Sequence, residues 1–462
     1  MTGDGRRILA AQAARAFAYG FGAVWLGVVL RARGWPSSRV GLLLALVVAG
    51  TVLASLLVGW VGDRLGRRRL YGLLFVGLAG AGIAFGLSDQ LWVLALAALT
   101  GTLSTEVVES GPFTSLEQAM LAQREPSERR TRAFGAYNAV ATLAGAAGAL
   151  AAGGPELLQR ALPGIATLAG GLAPAGAGQR LFLLFVPVGL AGALLARSLS
   201  ASVEAEPVLE PAPPHHAQAA RTPGRRHAPL RTGPLRRSRP AVLRLAGLFA
   251  VDALGGGFVV QAFIAYWLAA RFGASAATLG LVFFGVGLLQ TGSFLVATRL
   301  AERIGLLATM VFTHLPSNLL LAAIAFAPSL PVAVGLLFAR QALSQMDVPT
   351  RQAYVMALVD PAERTAAAAW TNTARYLARP AGPALAGVAG QLALGAPFVV
   401  AGAVKAAYDL ALWAWFHRVE LPDHGDDPVS RHRPHAGVRA AVPPAAGGTD
   451  ARGDARTRRS GA

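Results

Sequence analysis

Residues 59–70 read GWVGDRLGRRRL, a charged stretch that separates two long apolar runs. The chain around it has 462 residues, of which 54% are hydrophobic and only 14% are charged. A soluble protein has about a quarter of its residues charged, so this chain has too little charge to cover a water-facing surface. Helices of about 20 apolar residues cross the hydrocarbon core of a membrane, and apolar runs of that length recur along the chain. The composition therefore indicates a polytopic helical membrane protein.

Charge clusters and glycine or proline residues divide the apolar runs into about twelve predicted helices. The predicted spans are 8–30, 38–60, 70–88, 91–121, 132–153, 180–199, 241–268, 275–298, 306–327, 330–358, 364–392 and 396–417. A stretch rich in proline and arginine separates the sixth span from the seventh, and its composition cannot bury a core. The predicted organisation is a six-helix bundle at 1–199, a cytoplasmic linker at 200–240, a second six-helix bundle at 241–417 and a disordered basic cytoplasmic tail at 418–462.

Arginine placement predicts the orientation, because cytoplasmic loops carry an excess of Lys and Arg. With the N-terminus inside, the inner loops hold the arginines of 59–70, 124–132, the linker and the tail, whereas most outer loops hold few. The loop with Arg31, Arg33 and Arg39 is the exception. Both termini are therefore predicted to be cytoplasmic, in the cell membrane, and the first apolar stretch is predicted to be a retained helix rather than a signal peptide.

The two halves of the chain repeat each other. The pairs at a shift of 239 residues are Gly34/Gly273, Gly41/Gly280, Asp63/Glu302, Arg64/Arg303 and Gly66/Gly305. The pairs at a shift of 234 residues are Gln118/Gln352, Thr131/Thr365, Asn138/Asn372, Gly148/Gly382 and Gly153/Gly387. Because six helices separate the copies, both copies run in the same direction through the membrane. The predicted fold is all-α, with twelve transmembrane helices in two parallel six-helix repeats.

Twelve predicted helices in two halves, with GWVGDRLGRRRL after the second helix, resemble the major facilitator superfamily of secondary transporters. The family pattern at that loop is roughly G-x-x-x-D-R-x-G-R-R. The residues that match it are Gly59, Asp63, Arg64, Gly66, Arg67 and Arg68, and a degenerate copy contains Glu302 and Arg303. The resemblance covers about residues 8–417.

The resemblance implies that this loop is a conformational latch. Asp63 would contact the start of the eleventh helix, where free backbone N–H groups favour a carboxylate. Arg67 or Arg68 would pair with Glu117 at the inner end of the fourth helix, and these pairs would hold the outward-facing state. The alternative is a plain positive anchor on the cytoplasmic side.

Ionisable residues inside membrane spans are costly and are functional candidates. Glu106 and Glu109 lie near the middle of the fourth predicted helix, on one acidic stripe with Glu117. We expect Glu106 or Glu109 to take up and release a proton, or to bind a cationic substrate. The alternative is a structural ion pair with Arg340, which shares one face of the tenth helix with Asp347 and Arg351.

The second half carries further charges within its spans. Asp252 stands beside three glycines in the seventh helix, without a charged counterpart in the first half, which favours a specific role. Arg375 and Arg379 lie one turn apart on the eleventh helix, where they either bind an anionic substrate or neutralise acids.

Two further predictions concern residues of structural character. Lys405 and Asp409 are spaced i, i+4 on the last helix and are expected to neutralise each other. His314 precedes Pro316 and is expected to pack at a kink rather than to relay protons.

The resemblance implies secondary active transport of a small solute by alternating access, coupled to protons, with efflux of a drug-like compound or metabolite favoured. The alternatives are uptake of a sugar or organic acid by symport or uniport, and a receptor or scaffold that transports nothing. Drug antiporters of the family carry an arginine midway along the fourth helix, and this sequence has acids there instead.

Other classes of function are disfavoured by composition. Lys405 is the only lysine, so the phosphate-binding pattern G-x-x-x-x-G-K-[ST] of primary transporters cannot occur. The chain has no cysteine, no histidine cluster and no nucleophile triad, and we therefore expect neither an enzyme nor a metal or other cofactor. The expected partners are a small-molecule substrate, protons and the lipid bilayer, without nucleic acid, and the chain is expected to be a monomer.

Overall fold

Long helices dominate the computed structural model, which describes residues 1–104, 111–125, 127–161, 178–204, 235, 238–360 and 363–419. The helices of the first half are α1 (Gly3–Ala32), α2 (Ser37–Leu65), α3 (Arg67–Leu87), α4 (Leu91–Leu99), α5 (Pro112–Arg124), α6 (Ser127–Ala151), α7 (Gly154–Ala161) and α8 (Phe185–Ser198). Those of the second half are α9 (Arg239–Phe258), α10 (Gln261–Phe272), α11 (Ala276–Ile304), α12 (Leu306–Ile324), α13 (Leu330–Ser344), α14 (Asp347–Leu358), α15 (Arg364–Ala378), α16 (Ala381–Leu392) and α17 (Ala396–Phe416). Short 3-10 helices occupy Gly178–Leu184 and Ala201–Val203. Most of the predicted linker and all but two residues of the predicted tail lie outside the described residues.

Nine helices among the described residues are long and apolar enough to cross a membrane. They coincide with nine of the twelve predicted spans, and the exceptions are the fourth, the tenth and the eleventh. Each of these three contains two shorter helices instead of one long helix. In transporters, discontinuous helices of this kind supply binding groups near the middle of the membrane.

The fourth predicted span is interrupted after about its first third. Helix α4 ends at Leu99, and Gly101 follows with a φ angle of 69°. A residue with a side chain is strained in that conformation, and a Cβ at Gly101 would lie 2.5 Å from the Cβ of Ala54. The prediction of one continuous helix over 91–121 was therefore wrong.

Prolines account for the breaks in the tenth and eleventh spans. A proline has no N–H group and its ring clashes with the carbonyl group four residues earlier. Pro349 stands four residues after the break at Gln345, and Pro383 stands four residues after Arg379, where α15 ends. The predicted continuous helices over 330–358 and 364–392 were therefore wrong, and the prolines favour the breaks that the structure shows.

Several repeated glycines share an unusual backbone conformation. Gly34 and Gly273, which end α1 and α10, have φ angles of 65° and 67°. Gly66 and Gly305 separate α2 from α3 and α11 from α12, with φ angles of 87° and 89°. Only glycine adopts such angles without strain, so these repeated positions preserve the same two turns in each half.

Other repeated glycines bring the two halves into contact. A Cβ on Gly41 would lie 2.8 Å from the backbone nitrogen of Gly387, and one on Gly280 would lie 3.3 Å from that of Gly153. These two contacts occupy corresponding positions in the two repeats, because Gly41 corresponds to Gly280 and Gly153 to Gly387. We call such corresponding residues or contacts repeat mates. Each joins the start of one helix to the end of another across the halves, which allows the backbones to approach closely.

These contacts between the halves lie at one end of the bundle. We call it the far end, because it is opposite the motif end, where residues 59–70 lie. Gly27 also packs closely on Ala265 there, because a Cβ added to Gly27 would lie 2.6 Å from the Cβ of Ala265. The Tyr266 hydroxyl donates a hydrogen bond to the Trp35 carbonyl group across the same interface (3.2 Å). At the motif end, Arg64 and its repeat mate Arg303 are exposed.

Candidate functional site

A buried ion pair joins α1 to α5 within the first half. The Arg15 guanidinium donates to both carboxylate oxygens of Glu117, at 2.7 Å from Nη2 and 3.3 Å from Nε. The hydroxyl groups of Tyr71 and Tyr137 donate to the same carboxylate at 2.8 and 2.6 Å. Glu117 is fully buried and Arg15 is 3% exposed. A buried charge is tolerated when it is paired and hydrogen-bonded in this way.

In this conformation Glu117 has partners other than the predicted latch arginines. Arg67 and Arg68 do not pair with Glu117 in this conformation, because Arg15, Tyr71 and Tyr137 occupy its carboxylate. Glu117 lies seven residues before the end of α5, which is about 10 Å deeper along the helix axis.

The arginines of the motif bind within their own half instead. The Arg67 guanidinium donates to Gln123 Oε1 (2.7 Å), and the Arg68 guanidinium donates to the carbonyl group of Leu199 (3.0 Å). The Glu204 carboxylate accepts the backbone N–H groups of Arg67 (2.6 Å) and Arg68 (3.3 Å) at the start of α3. Glu204 thus caps α3, where a negative charge is favoured.

The remaining latch residues lie at the motif end. The Arg64 guanidinium stacks over the Trp60 ring at 5.4 Å. Glu302 and Arg303 are exposed near the end of α11. The side chain of Asp63 lies outside the described part of the structure. Its predicted contact with the start of the eleventh predicted span (364–392) therefore stays a prediction.

A larger buried cluster lies within the second half and is centred on Asp252. Lys405 Nζ and Arg351 Nη1 both donate to the Asp252 carboxylate, the latter at 3.4 Å. The same Arg351 nitrogen donates to Asp347 Oδ2 at 2.7 Å. All four side chains are at most 8% exposed. The cluster therefore links α9, α14 and α17 through charged side chains.

His314 extends this cluster to Asp409. Its Nδ1 lies 2.8 Å from Asp409 Oδ1, and its Nε2 lies 3.8 Å from Asp252 Oδ1. The Asn318 amide donates to Asp409 Oδ2 at 2.8 Å. The imidazole thus stands between two carboxylates, of which only the Asp252 carboxylate contacts strong cations within the described residues.

Two predictions from spacing are corrected by these contacts. Lys405 and Asp409 do not neutralise each other, because Lys405 reaches Asp252 on α9 and Asp409 faces His314 on α12. His314 does precede Pro316 inside α12, but it is hydrogen-bonded within a charged cluster rather than only packed at a kink. Spacing along a helix does not show which neighbouring helix a side chain faces.

The two ion pairs are repeat mates with reversed charges. Glu117 corresponds to Arg351 at the shift of 234 residues, and Arg15 corresponds to Asp252 at a shift of 237. The first pair joins α1 to α5 and the second joins α9 to α14, which are the first and fourth predicted spans of each half. The cation lies on the first span (α1) in the first half and on the fourth span (α14) in the second half. The expectation that Asp252 has no charged counterpart was therefore wrong. Neither repeat shift found in the sequence, 239 or 234, aligns Arg15 with Asp252, so this counterpart is evident only from the contacts.

The other candidates fall into two groups. Arg340, Arg375 and Arg379 are partly buried in the second half, and Arg340 and Arg379 are both engaged by neighbours. Glu106 and Glu109, one of which we expect to take up and release a proton or to bind a cationic substrate, lie outside the described residues. Within the described ranges, no group of three or more His, Cys, Asp or Glu side chains could hold a metal ion.

The family model described as Major Facilitator Superfamily matches residues 8–266 and 245–459 of this chain. An uncharacterized membrane protein of Saccharomyces cerevisiae is 27% identical over 424 residues, which cover 88% of this chain and 92% of that protein. The family match extends over both halves of the repeat and the linker between them.

Solved transporter structures share the fold. A bacterial homologue of the human lysosomal transporter Spinster, in an inward-facing and occupied conformation, has a TM-score of 0.64 at 16% identity, covering 89% of this chain and 97% of its own. A D-xylose–proton symporter has a TM-score of 0.62 at 12% identity, with 88% and 97% covered. The nucleoside transporter NupG has a TM-score of 0.61 at 12% identity, with 90% and 99% covered. At these identities the likeness concerns the fold alone.

Proposed function

The chain belongs to the major facilitator superfamily, whose members move small solutes across membranes, and from that premise we propose that its transport is coupled to protons through His314 and Asp409. The supporting observation is the position of the His314 imidazole between the carboxylates of Asp409 and Asp252. Histidine is the side chain that ordinarily changes its charge between about pH 5 and pH 8. A proton held here changes the net charge of a buried cluster that joins four helices.

Protonation would alter the packing of the second half. In the cluster, Asp252 is already neutralised by Lys405 and Arg351, so a proton on the imidazole chiefly serves Asp409. Loss of that proton leaves a buried carboxylate held only by neutral donors, which is costly. The contact between α12 and α17 then stabilises the second half less. This difference in free energy biases the halves between two conformations.

We propose that the structure represents the state open at the motif end, and that this end faces the cytoplasm. The close glycine contacts at the far end support this assignment, as does the exposure of Arg64 and Arg303 at the motif end. The arginine-rich loops support the cytoplasmic placement. Alternating access then requires the far end to part and the motif end to close.

Spin labels test the proton coupling without knowledge of the substrate. The chain has no cysteine, so labels attach only to an introduced pair, Gln118→Cys with Gln352→Cys, at exposed repeat-related positions near the motif end. We expect the population ratio of two distance states to change by roughly fivefold or more between pH 5 and pH 8. Asp409→Asn and His314→Gln should each abolish most of that change in pulsed electron resonance measurements.

The matched control is Asp89→Asn, which alters a carboxylate that is 75% exposed at the far end. Its distance distribution should follow pH as the parent protein does. A pH response that survives in both Asp409→Asn and His314→Gln would overturn the proposed site. A parent protein without any pH response would overturn proton coupling through this cluster.

We further propose that the motif loop is the latch that the family resemblance implies. In the state open at the motif end, Arg67 and Arg68 bind Gln123 and Leu199 within their own half. In Asp63→Arg, the positive side chain should be repelled by the positive N-terminal end of the dipole of α15, which begins the eleventh predicted span. We expect the population closed at the motif end to fall by roughly fivefold or more. The same spin-label pair measures it, with Asp89→Arg as the control, and an unchanged distribution would contradict the latch.

A further inference from the structure

Arg375, in the last turn of α15, is a cation without an acidic partner. Within the described part of the chain its guanidinium forms no ion pair and no hydrogen bond, and its Nε is buried without a partner. Arg15, Arg351 and Lys405, the other cations of the buried clusters, each contact a carboxylate directly. Arg375 is mostly but not completely buried, so its terminal nitrogens remain open to a ligand.

An unpaired buried charge is costly and persists only for a reason. Asp252 and Asp347 are close enough to interact electrostatically with Arg375. Both are already bonded, Asp252 to Lys405 and Arg351, and Asp347 to Arg351. Arg351 also repels Arg375. Among the described residues, this arrangement leaves the guanidinium without a counterion.

The charges of the cluster indicate what is missing. Its described residues include three carboxylates (Asp252, Asp347 and Asp409) and three strong cations (Arg351, Arg375 and Lys405). The cluster is therefore neutral when His314 is neutral. When His314 carries a proton, the cluster has one excess positive charge, and the cation that lacks a partner is Arg375.

We propose that the transported solute is a small organic monocarboxylate that binds Arg375 and enters the cluster together with the proton. This inference rests on the proposed proton coupling. One proton and one monoanion leave the cluster neutral, whereas a phosphate group, at about −1.5 to −2 charges, would leave an excess. A guanidinium also presents two parallel N–H donors that match a carboxylate. Uptake by electroneutral symport thereby takes precedence over drug efflux.

The test uses purified protein in proteoliposomes and labelled lactate, pyruvate, gluconate and mandelate, each at about 10 mM, roughly ten times the upper end of typical KM values. We expect at least one to enter faster when the entry side is acidic, and a potassium diffusion potential to leave the rate unchanged. Glucose and the tetraphenylphosphonium cation are the comparison solutes. Arg375→Met should weaken monocarboxylate binding roughly 10- to 100-fold, measured by equilibrium binding.

Arg244→Met is the matched control, because Arg244 is exposed on α9 in the same half. It should bind and transport the monocarboxylate as the parent protein does. Arg375→Met removes an unpaired charge and should not lower the thermal midpoint, so lost binding would not reflect misfolding. Arg375→Lys retains the charge and should bind with intermediate affinity.

The failures of the two proposals are distinguishable. If Asp409→Asn still concentrates the monocarboxylate in response to a pH gradient, the proton site is wrong and the anion site stands. If none of the four monocarboxylates binds or enters, or if Arg375→Met binds them as tightly as the parent protein, the anion site is wrong. The spin-label response to pH still tests the proton site in that case.

Discussion

Replacing Glu117 by alanine is expected to destabilise the protein by about 3–5 kcal/mol, because it leaves Arg15 as an unpaired buried charge. The variant also removes the acceptor of the Tyr71 and Tyr137 hydroxyl groups, which are buried with it. Chemical unfolding in mild detergent, followed by the fluorescence of the eight tryptophans, measures the loss. Few substitutions on the helix surface should approach it.

Two comparisons isolate the cause. Asp89→Ala breaks the Arg33–Asp89 bridge, in which Asp89 is 75% exposed, and exposed bridges contribute about 0–1 kcal/mol. The double variant Arg15→Met with Glu117→Leu removes both charges and should recover most of the lost stability, since apolar replacements of buried pairs are often neutral. If Glu117→Ala were no more harmful than Asp89→Ala, the pair would have no structural role.

The fold could be predicted in large part because membrane spans and repeats leave strong signals in sequence. Apolar run length predicted nine spans that the structure contains as long helices. The repeat at 239 and 234 residues identified Gly41, Gly153, Gly280 and Gly387 as paired positions before any contact was known. What sequence did not give was the reason for their pairing, which is the approach of two backbones across the halves.

The interrupted helices show where hydropathy fails. The tenth span reads as one apolar run, and its composition hides the break at Gln345 that Pro349 imposes. Proline inside an apolar run is compatible with either a kink or a break. The choice depends on whether neighbouring helices can satisfy the freed carbonyl groups, and that information is absent from the span itself.

The candidate site was predicted less well, for a geometric reason. Sequence identified Asp252, Asp347 and Arg375 as charges within spans, but assigned Lys405 and Asp409 to each other. Their i, i+4 spacing places them on one side of α17, yet each reaches a different neighbouring helix. The partner that a side chain meets on a neighbouring helix depends on the rotation of each helix about its axis and on the depth of the residue in the bundle. A single sequence carries only the repeat shift as a guide to these partners.

Gly153→Val is expected to displace the conformation seen here, because its Cβ would lie 2.6 Å from the backbone Cα of Ala277 in the other half. Backbone atoms of packed helices cannot yield as a flexible side chain can. Overpacking of this kind costs about 1–3 kcal/mol, which corresponds to roughly a 5- to 150-fold change in population. The far end should part, and the Gln118→Cys and Gln352→Cys labels at the motif end should move closer together.

The adjacent glycine provides the control. A Cβ on Gly154 would meet no atom within 4 Å, so Gly154→Val changes the same residue type, at the next position, without the clash. Its label distances should match those of the parent protein. The repeat mate Gly387 should behave like Gly153, since a Cβ added to Gly387 would lie 2.8 Å from the Ser37 carbonyl oxygen. If Gly153→Val leaves the distances unchanged while lowering stability, the far-end contact holds the fold together but does not select between conformations.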